Sequence, residues 1–388
     1  MRRGGKRWEA PDDVFEESAG TEASDTGSAR LDASPEAPPR VLFTRGRVLG
    51  TLLFVASALA FLYLVLPKLL GLHETWDRIR HGDAWWFGLA AVLEVCSFCG
   101  YVWLFRGVFV GKDSRIGWRE SYQITMAGLA ATRLFAAAGA GGIALTAWAL
   151  RRSGMPRRTV ARRLIAFTVI LYAVYMITMV LDGVGLYLGV IPGGGSFAIT
   201  MGPAIFGAVV IALFVGLSTL PHDIDRTVGR WTSGRHRAER IVFRLAAVSA
   251  TATTGIRTAI GLVRSRNPSL LGAVAWWGFD IAVLWASFHA FGASPPKGVI
   301  VMSYFLGMLA NTLPLPGGIG GVDGGMIGAF VAFGVDAELA VIAVLSYRAF
   351  AFWLPTLPGA VAYLQLRRTV HRWSTETPGV LRGASDPV

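Results

Sequence analysis

The sequence predicts an all-α polytopic membrane protein with six transmembrane helices plus two re-entrant helical hairpins in an inverted repeat. Three observations predict it. First, of 388 residues 53% are hydrophobic and only 16% charged, whereas a water-soluble domain keeps about 25% charged. Second, the apolar residues gather in blocks of about 20 or more, the length an α-helix needs to cross hydrocarbon, and the short alternating segments of a membrane β-barrel are absent. Third, the basic residues behind the formal net charge of +12 flank these blocks. That placement orients a chain in a membrane and does not make a nucleic-acid face.

Residues 1–39 are rich in Glu, Asp, Ser, Ala, Gly and Pro. They have too little apolar surface to offset the entropy of ordering and read as a disordered cytoplasmic tail. The transmembrane domain spans 40–366, and 367–388 form a C-terminal cytoplasmic tail. The apolar blocks fall near 48–70, 84–109, 120–150, 164–190, 201–220, 269–292, 299–335 and 339–366. The first has no small-residue cleavage site after it and is expected to stay as an anchor. Cys96 and Cys99, inside 84–109, have no second pair or nearby histidine, so they read as small core residues of a membrane helix.

Two blocks cannot be single spans. Arg133 lies midway in 120–150, followed by Ala136-Ala137-Ala138-Gly139-Ala140-Gly141-Gly142, and 299–335 is interrupted by Pro314, Pro316 and Gly317-Gly318-Ile319-Gly320-Gly321. Such runs break helices, and broken backbone at membrane depth persists only inside protein or beside a polar cavity. The loops decide how to count them. Block 120–150 has Arg106, Lys112, Arg115 and Arg119 before it and Arg151, Arg152, Arg157, Arg158, Arg162 and Arg163 after it. Both ends are therefore cytoplasmic. Block 299–335 has only Lys297 near its start and no basic residue in 335–339, so both of its ends lie outside.

With two hairpins and six spans, 26 of the 32 Lys and Arg from residue 40 onward fall inside, four outside (Lys68, Arg78, Arg80, Lys297) and two within blocks. Both termini are then cytoplasmic. Residues 241–266, with Arg244, Arg257, Arg264 and Arg266 among Thr, Ser and Ala, read as an amphipathic helix on the cytoplasmic membrane surface. The order span, span, hairpin, span occurs twice, the second time inverted, which is a transporter signature. The breaks echo one another, because Arg133-Leu134 leads to Gly141-Gly142 as Thr312-Leu313 leads to Gly320-Gly321.

Seven ionisable residues lie inside the blocks: Glu94, Arg133, Asp182, Asp280, His289, Asp323 and Arg348. Each costs about 2.5–3.5 kcal/mol even on the mild insertion scale, so a functional role is the first hypothesis. Asp182 and His289 sit near predicted ends, within reach of the interface. Glu94 and Asp280, mid-span, are candidates for ion or proton coupling or for structural partners of the arginines. Arg133 and Arg348 are the candidate substrate contacts, since a guanidinium keeps its charge when desolvated and donates paired hydrogen bonds to phosphate. A half-helix beginning near 322–325 turns free N–H groups and a positive dipole end toward an anion, and Gly317, Gly318, Gly320 and Gly321 allow close backbone approach. The same glycines equally serve close helix packing. No Walker A loop, metal-ligand spacing or nucleophile elbow is present, so no cofactor, metal or catalytic residue is expected.

The stretch Asn311-Thr312-Leu313-Pro314-Leu315-Pro316-Gly317-Gly318-Ile319-Gly320-Gly321-Val322-Asp323, with Tyr347-Arg348 and Phe352-Trp353-Leu354-Pro355, resembles the lysylphosphatidylglycerol synthase transmembrane (flippase-like) family. The resemblance covers 48–366 and is most specific over 305–360. It implies a lipid-flipping fold in the plasma membrane of a bacterium or archaeon, and it adds Asn311 and Asp323 to the substrate-binding candidates. The family usually carries glutamate where Asp323 stands, and the first hairpin lacks a proline often found there. Only Arg367–Val388 follows the last span, so lipid aminoacylation is not expected.

The reading is a flippase or translocase for a membrane lipid, an anionic phospholipid or a lipid-linked glycan, with no nucleic-acid partner; a homo-oligomer is compatible with it. Its alternatives are an intramembrane enzyme using Glu94, Asp280 or Asp323 as acid or base, and an accessory subunit of envelope glycolipid synthesis that transports nothing itself. The topology is tested by cysteine accessibility on intact cells. Arg157→Cys and Arg235→Cys are expected to resist a membrane-impermeant reagent, and labelling of either from outside would overturn the assignment.

Overall fold

The computed structural model describes residues 81–111, 114–134, 140–219, 252–310 and 320–376, and among these all regular structure is helical. The tail at 1–39, the first block at 48–70, the loop at 221–240, the centres of both breaks (135–139 and 311–319) and residues 377–388 lie outside them.

Block 84–109 forms α1 (Ala84–Phe109). Asp83 caps its start by accepting the Trp85 N–H at 2.9 Å, and the Arg163 guanidinium donates to the Phe109 carbonyl at its end at 2.9 Å, a cation on orphan helix carbonyls. Block 120–150 divides into α2 (Trp118–Leu134) and α3 (Ala140–Arg152). Then follow α4 (Arg157–Tyr187) and α5 (Phe197–Thr219). Helix α4 begins before its apolar block, so its first two turns carry Arg157, Arg158, Arg162 and Arg163.

Of the amphipathic stretch expected at 241–266, residues 252–264 are helical. Ile256 and Ala259 are buried, and Arg257 donates to the Ser218 carbonyl at 3.0 Å near the end of α5. A 3₁₀ turn at Pro268–Leu270 leads into α6 (Leu271–His289). Block 299–335 divides into α7 (Lys297–Leu309) and α8 (Gly321–Ala332).

The last block, expected as one regular span, is α9 (Ala337–Arg348), a π-helical turn at Ala349–Trp353 and α10 (Leu354–Glu376). The interruption has a local cause. Pro355 and Pro358 have no N–H to give the carbonyls of Ala351 and Leu354, so the α-helical ladder is broken there.

Among the described residues five helical runs are long and apolar enough to cross a membrane: α1, α4, α5, α6 with its 3₁₀ turn, and the continuous run through α9 and α10. The other four are short. At about 1.5 Å per residue, the 17-residue α2 reaches about 26 Å and the 12- and 13-residue α3, α7 and α8 only about 20 Å, against a hydrocarbon core of about 30 Å.

Two long antiparallel pairings, of α1 with α6 and of α2 with α10, and a shorter antiparallel contact of α4 with α7 set the helices around the charged residues. Along α1 and α6, Gly100 meets Gly272 and Ala275, Ser97 Oγ donates to the Trp276 carbonyl at 2.9 Å, and Trp86 packs edge-on against Trp285. Along α2 and α10, Gln123 reaches Gln365 and accepts from Thr369, while Gly359 lies against Met126 and Ala130. Along α4 and α7, Tyr175 OH donates to the Phe305 carbonyl at 2.6 Å, and Gly183 lies near Met302. Lipid gives helices no hydrophobic reason to associate, so small residues that admit close van der Waals approach carry the contact.

The cysteines depart from the sequence reading: Cys96 is only partly covered and Cys99 exposed. They lie three apart, on a different face from buried Ser97, Gly100 and Leu104.

A Cβ on Gly272 would fall 2.3 Å from the Gly100 carbonyl oxygen and 2.7 Å from the Leu104 nitrogen, backbone atoms that cannot step aside, whereas one on Gly278 meets nothing within 4 Å. Gly272→Val is therefore expected to cost at least about 1–3 kcal/mol, read as a lowered Tm in detergent, with Gly278→Val as the neutral control. Equal melting of the two variants would refute the close crossing.

Candidate functional site

The charged residues inside the apolar blocks are not scattered. Glu94 on α1 and Asp280 on α6, each near the middle of its helix, are brought face to face by the antiparallel pairing and are hydrogen-bonding neighbours. Both face Arg133 on α2, which also lies within electrostatic range of Arg348 and Tyr347. Asp280 Oδ2 accepts the hydroxyls of Tyr304 on α7 and of Tyr347 on α9, the latter at 3.1 Å. One Glu94 oxygen, Oε2, has no hydrogen-bond partner. Arg348 Nε stands 2.6 Å from Asp323 Oδ1, and its guanidinium lies 5.6 Å from the Phe352 ring centre.

Three of these charges lie at or beside interruptions of the helices. Arg133 lies in the last described turn of α2, and Arg348 lies where α9 passes into the π turn of one continuous run. Asp323 lies in the first turn of α8 and accepts the Gly320 N–H at 2.8 Å, capping the positive end. Gly320 has φ +84°, a left-handed conformation that a side chain would strain. The breaks in the helices are thus where charge is held. The π turn joins in: the Phe352 carbonyl accepts from Thr356 and makes a long, 3.5 Å contact with Arg133.

Burial divides the set. Asp323 is 0% exposed, Glu94 1%, Asp280 7% and Arg348 9%, while Arg133 is only half-buried. Counted as ionised groups, two cations face three carboxylates. Among the described residues no group of three or more His, Cys, Asp and Glu is placed to hold a metal ion.

Several expectations change. The sequence puts Glu94 and Asp280 forward as partners of the two arginines; the structure sets both against Arg133 but gives Arg348 the Asp323 carboxylate. Asp182, expected to reach the interface, is buried at 6% exposure with Oδ2 unpartnered. The cause is the segment after α4, where Ile191 folds back over Gly185 and Gly298, beside Asp182. His289 is partly covered, its Nδ1 2.9 Å from the Trp285 carbonyl and its ring against Trp86 and Trp285. Gly321 opens α8, and Gly325 and Gly307 make the close contact between α7 and α8, so part of this glycine run serves packing. Asn311, Gly317 and Gly318 lie outside the described residues. Tyr304 and Tyr347 were not among the sequence candidates as ligands of Asp280. Their one signal is that each hydroxyl needs a partner inside an otherwise apolar helix.

The family described as the lysylphosphatidylglycerol synthase TM region matches residues 48–359, and the chain belongs to it. Three proteins of Methanothermobacter thermautotrophicus, each described as a UPF0104 membrane protein, are similar in sequence. One is 25% identical over 336 residues, 81% of this chain and 94% of the relative. Two others are 33% and 34% identical over 91 and 116 residues, 23% and 28% of this chain. The chain thus spans only about a quarter and a third of those two relatives (26% and 35%). No solved structure matches. The protein is a multi-pass membrane protein of this family.

Removing Arg348 strands a carboxylate that is fully buried. Arg348→Gln is expected to destabilise the fold by about 3–5 kcal/mol, and Arg348→Gln with Asp323→Asn to recover a good part, because losing both charges of a buried pair costs less than losing one. Size-exclusion profiles and Tm in detergent measure this, and equal behaviour of single and double variants would refute the coupling.

Proposed function

We propose that this member of the lysylphosphatidylglycerol synthase TM family moves a lipid with an anionic headgroup across the membrane, with Arg133 as the cation the headgroup meets. The observation that carries the reading is the gathering of Glu94, Arg133, Asp280, Asp323 and Arg348 from five helices at the ends and centres of apolar segments. Charges kept at membrane depth mark a path for a polar substrate. Arg133 is the one that remains half-buried, and its guanidinium suits a phosphodiester.

The short helices support the topology that goes with this function. Helices α2 and α3 form a hairpin entering from the cytoplasm, α7 and α8 one entering from outside, and the two are related as an inverted repeat. The antiparallel pairings of α2 with α10 and of α7 with α4 are what such a repeat requires, each setting the first helix of one hairpin against the last span of the other half. Arg348 and Asp323 hold the start of α8, where Gly320 and Gly321 bring backbone close to the headgroup. The paired carboxyls Glu94 and Asp280 also fit acid–base chemistry on a lipid, and the same experiment separates that reading.

Purified protein reconstituted in phosphatidylcholine liposomes with fluorescent phosphatidylglycerol is expected to speed exchange of the probe between leaflets. Arg133→Gln is expected to slow it at least about tenfold while the protein stays inserted, with Arg133→Lys recovering part, since lysine keeps charge but not the paired donors. Chemical conversion of the lipid would assign an enzyme, and unchanged exchange with wild-type protein would refute flipping of this lipid class.

A further inference from the structure

Counted as ionised, the adjoining Glu94 and Asp280 carboxyls bring more negative charge than the cations around them neutralise. Asp323 and Arg348 cancel one another at 2.6 Å. That leaves Arg133 as the cation facing two adjoining carboxyls. Among the described residues the titratable groups against the pair are Arg133 from α2, Tyr304 from α7 and Tyr347 from α9, with Arg348 of α9 beside Arg133 and Tyr347 and Asp323 of α8 paired to it. Tyr101 of α1 lies near Arg133, and α4 turns Tyr175 away to the Phe305 carbonyl. Both tyrosine hydroxyls already donate to Asp280 Oδ2.

Two touching carboxylates cannot both ionise beside a single cation in a low dielectric. With one proton held between Glu94 and Asp280, the pair carries a single negative charge, Arg133 matches it, and the cluster is neutral. A headgroup phosphodiester brings one more negative charge and needs Arg133 for itself. Neutrality then requires one further proton on the pair. Arg133 thus serves either the carboxyl pair or the headgroup, and a proton decides which.

We infer that headgroup binding at Arg133 is coupled to uptake of one proton by the Glu94–Asp280 pair, so that lipid and proton move together. This rests on the reading of Arg133 as the headgroup cation and adds to it the coupled ion. The proton enters with the headgroup and leaves with it, and Arg133 then returns to the singly protonated pair. Tyr347 ties the exchange to the second hairpin, since it donates to Asp280 and is followed by Arg348, the partner of the residue that caps α8.

The test is calorimetric titration of the full-length protein in neutral detergent with dihexanoyl-phosphatidylglycerol, in two buffers of equal pH and different ionisation enthalpy. The expected result is uptake of about one proton per lipid bound, with Kd falling about tenfold per unit drop in pH over the range of that uptake. Glu94→Gln with Asp280→Asn is expected to bind with about no proton uptake and no such pH dependence. Wild-type binding without proton uptake would overturn the coupling and leave the headgroup reading standing. Absence of wild-type binding, or binding and uptake unchanged in Arg133→Gln, would overturn both. If the double variant does not fold, the wild-type comparison between buffers still decides.

Discussion

Ionised side chains held among apolar helices must be compensated by one another, and the interior of this protein is arranged around that constraint. Four of the five central charges are less than one-tenth exposed, where an unpaired charge would cost several kcal/mol. Compensation comes at three scales. Arg348 and Asp323 pair directly. Asp323 sits in the first turn of α8, where its charge opposes the positive end of the helix dipole. Glu94 and Asp280 share Arg133 and draw on two tyrosine hydroxyls. Shorter helices are part of this solution, because each extra helix end inside the bundle supplies a partial charge that an unbroken span lacks.

The two halves of the chain use equivalent positions differently. Glu94 and Asp280 sit at matching depths on the central antiparallel pair. At the breaks the halves diverge: α2 carries Arg133 in its last described turn, whereas α8 has the capping Asp323 in its first. The proposed two-fold relation in backbone thus carries an asymmetric charge pattern, with Arg133 facing the two carboxyls on one side and the Arg348–Asp323 ion pair on the other.

Much of the fold was legible in the sequence because lipid reads only length, hydrophobicity and flanking charge. Blocks 84–109, 120–150, 269–292 and 299–335 became α1, the pair α2 and α3, α6, and the pair α7 and α8. The π turn was not legible, since Pro355 and Pro358 sit in an apolar run where proline is compatible with a continuing helix. Nor was Asp182, whose burial depends on where Ile191 folds back. At the candidate site the charged residues were named one by one from the sequence, but Asp323 as the partner of Arg348 was not. Arg348 and Asp323 are 25 positions apart on different helices, and no periodicity within one helix encodes a contact made by crossing two. The tyrosines on Asp280 escaped notice for the same reason, because an aromatic residue in a membrane helix looks like packing until its hydroxyl finds a partner.

The crossing at Gly100 and Gly272 has a mechanical side. Most helix contacts lock ridges into grooves, so that sliding must lift side chains over one another. Here backbone lies against backbone, with the Gly272 Cα position close to the Gly100 carbonyl and Leu104 nitrogen. Teeth flank it closely: Ala275 fills the place beside Gly100, and Phe98 and Tyr101 pack on Trp276 along the same stretch. The glycines thus let two backbones touch where the neighbouring rings fix how far one helix is slid along the other. That setting decides which residue of α6 Glu94 meets, Asp280, so a side chain at Gly272 would part the carboxyls as well as the helices.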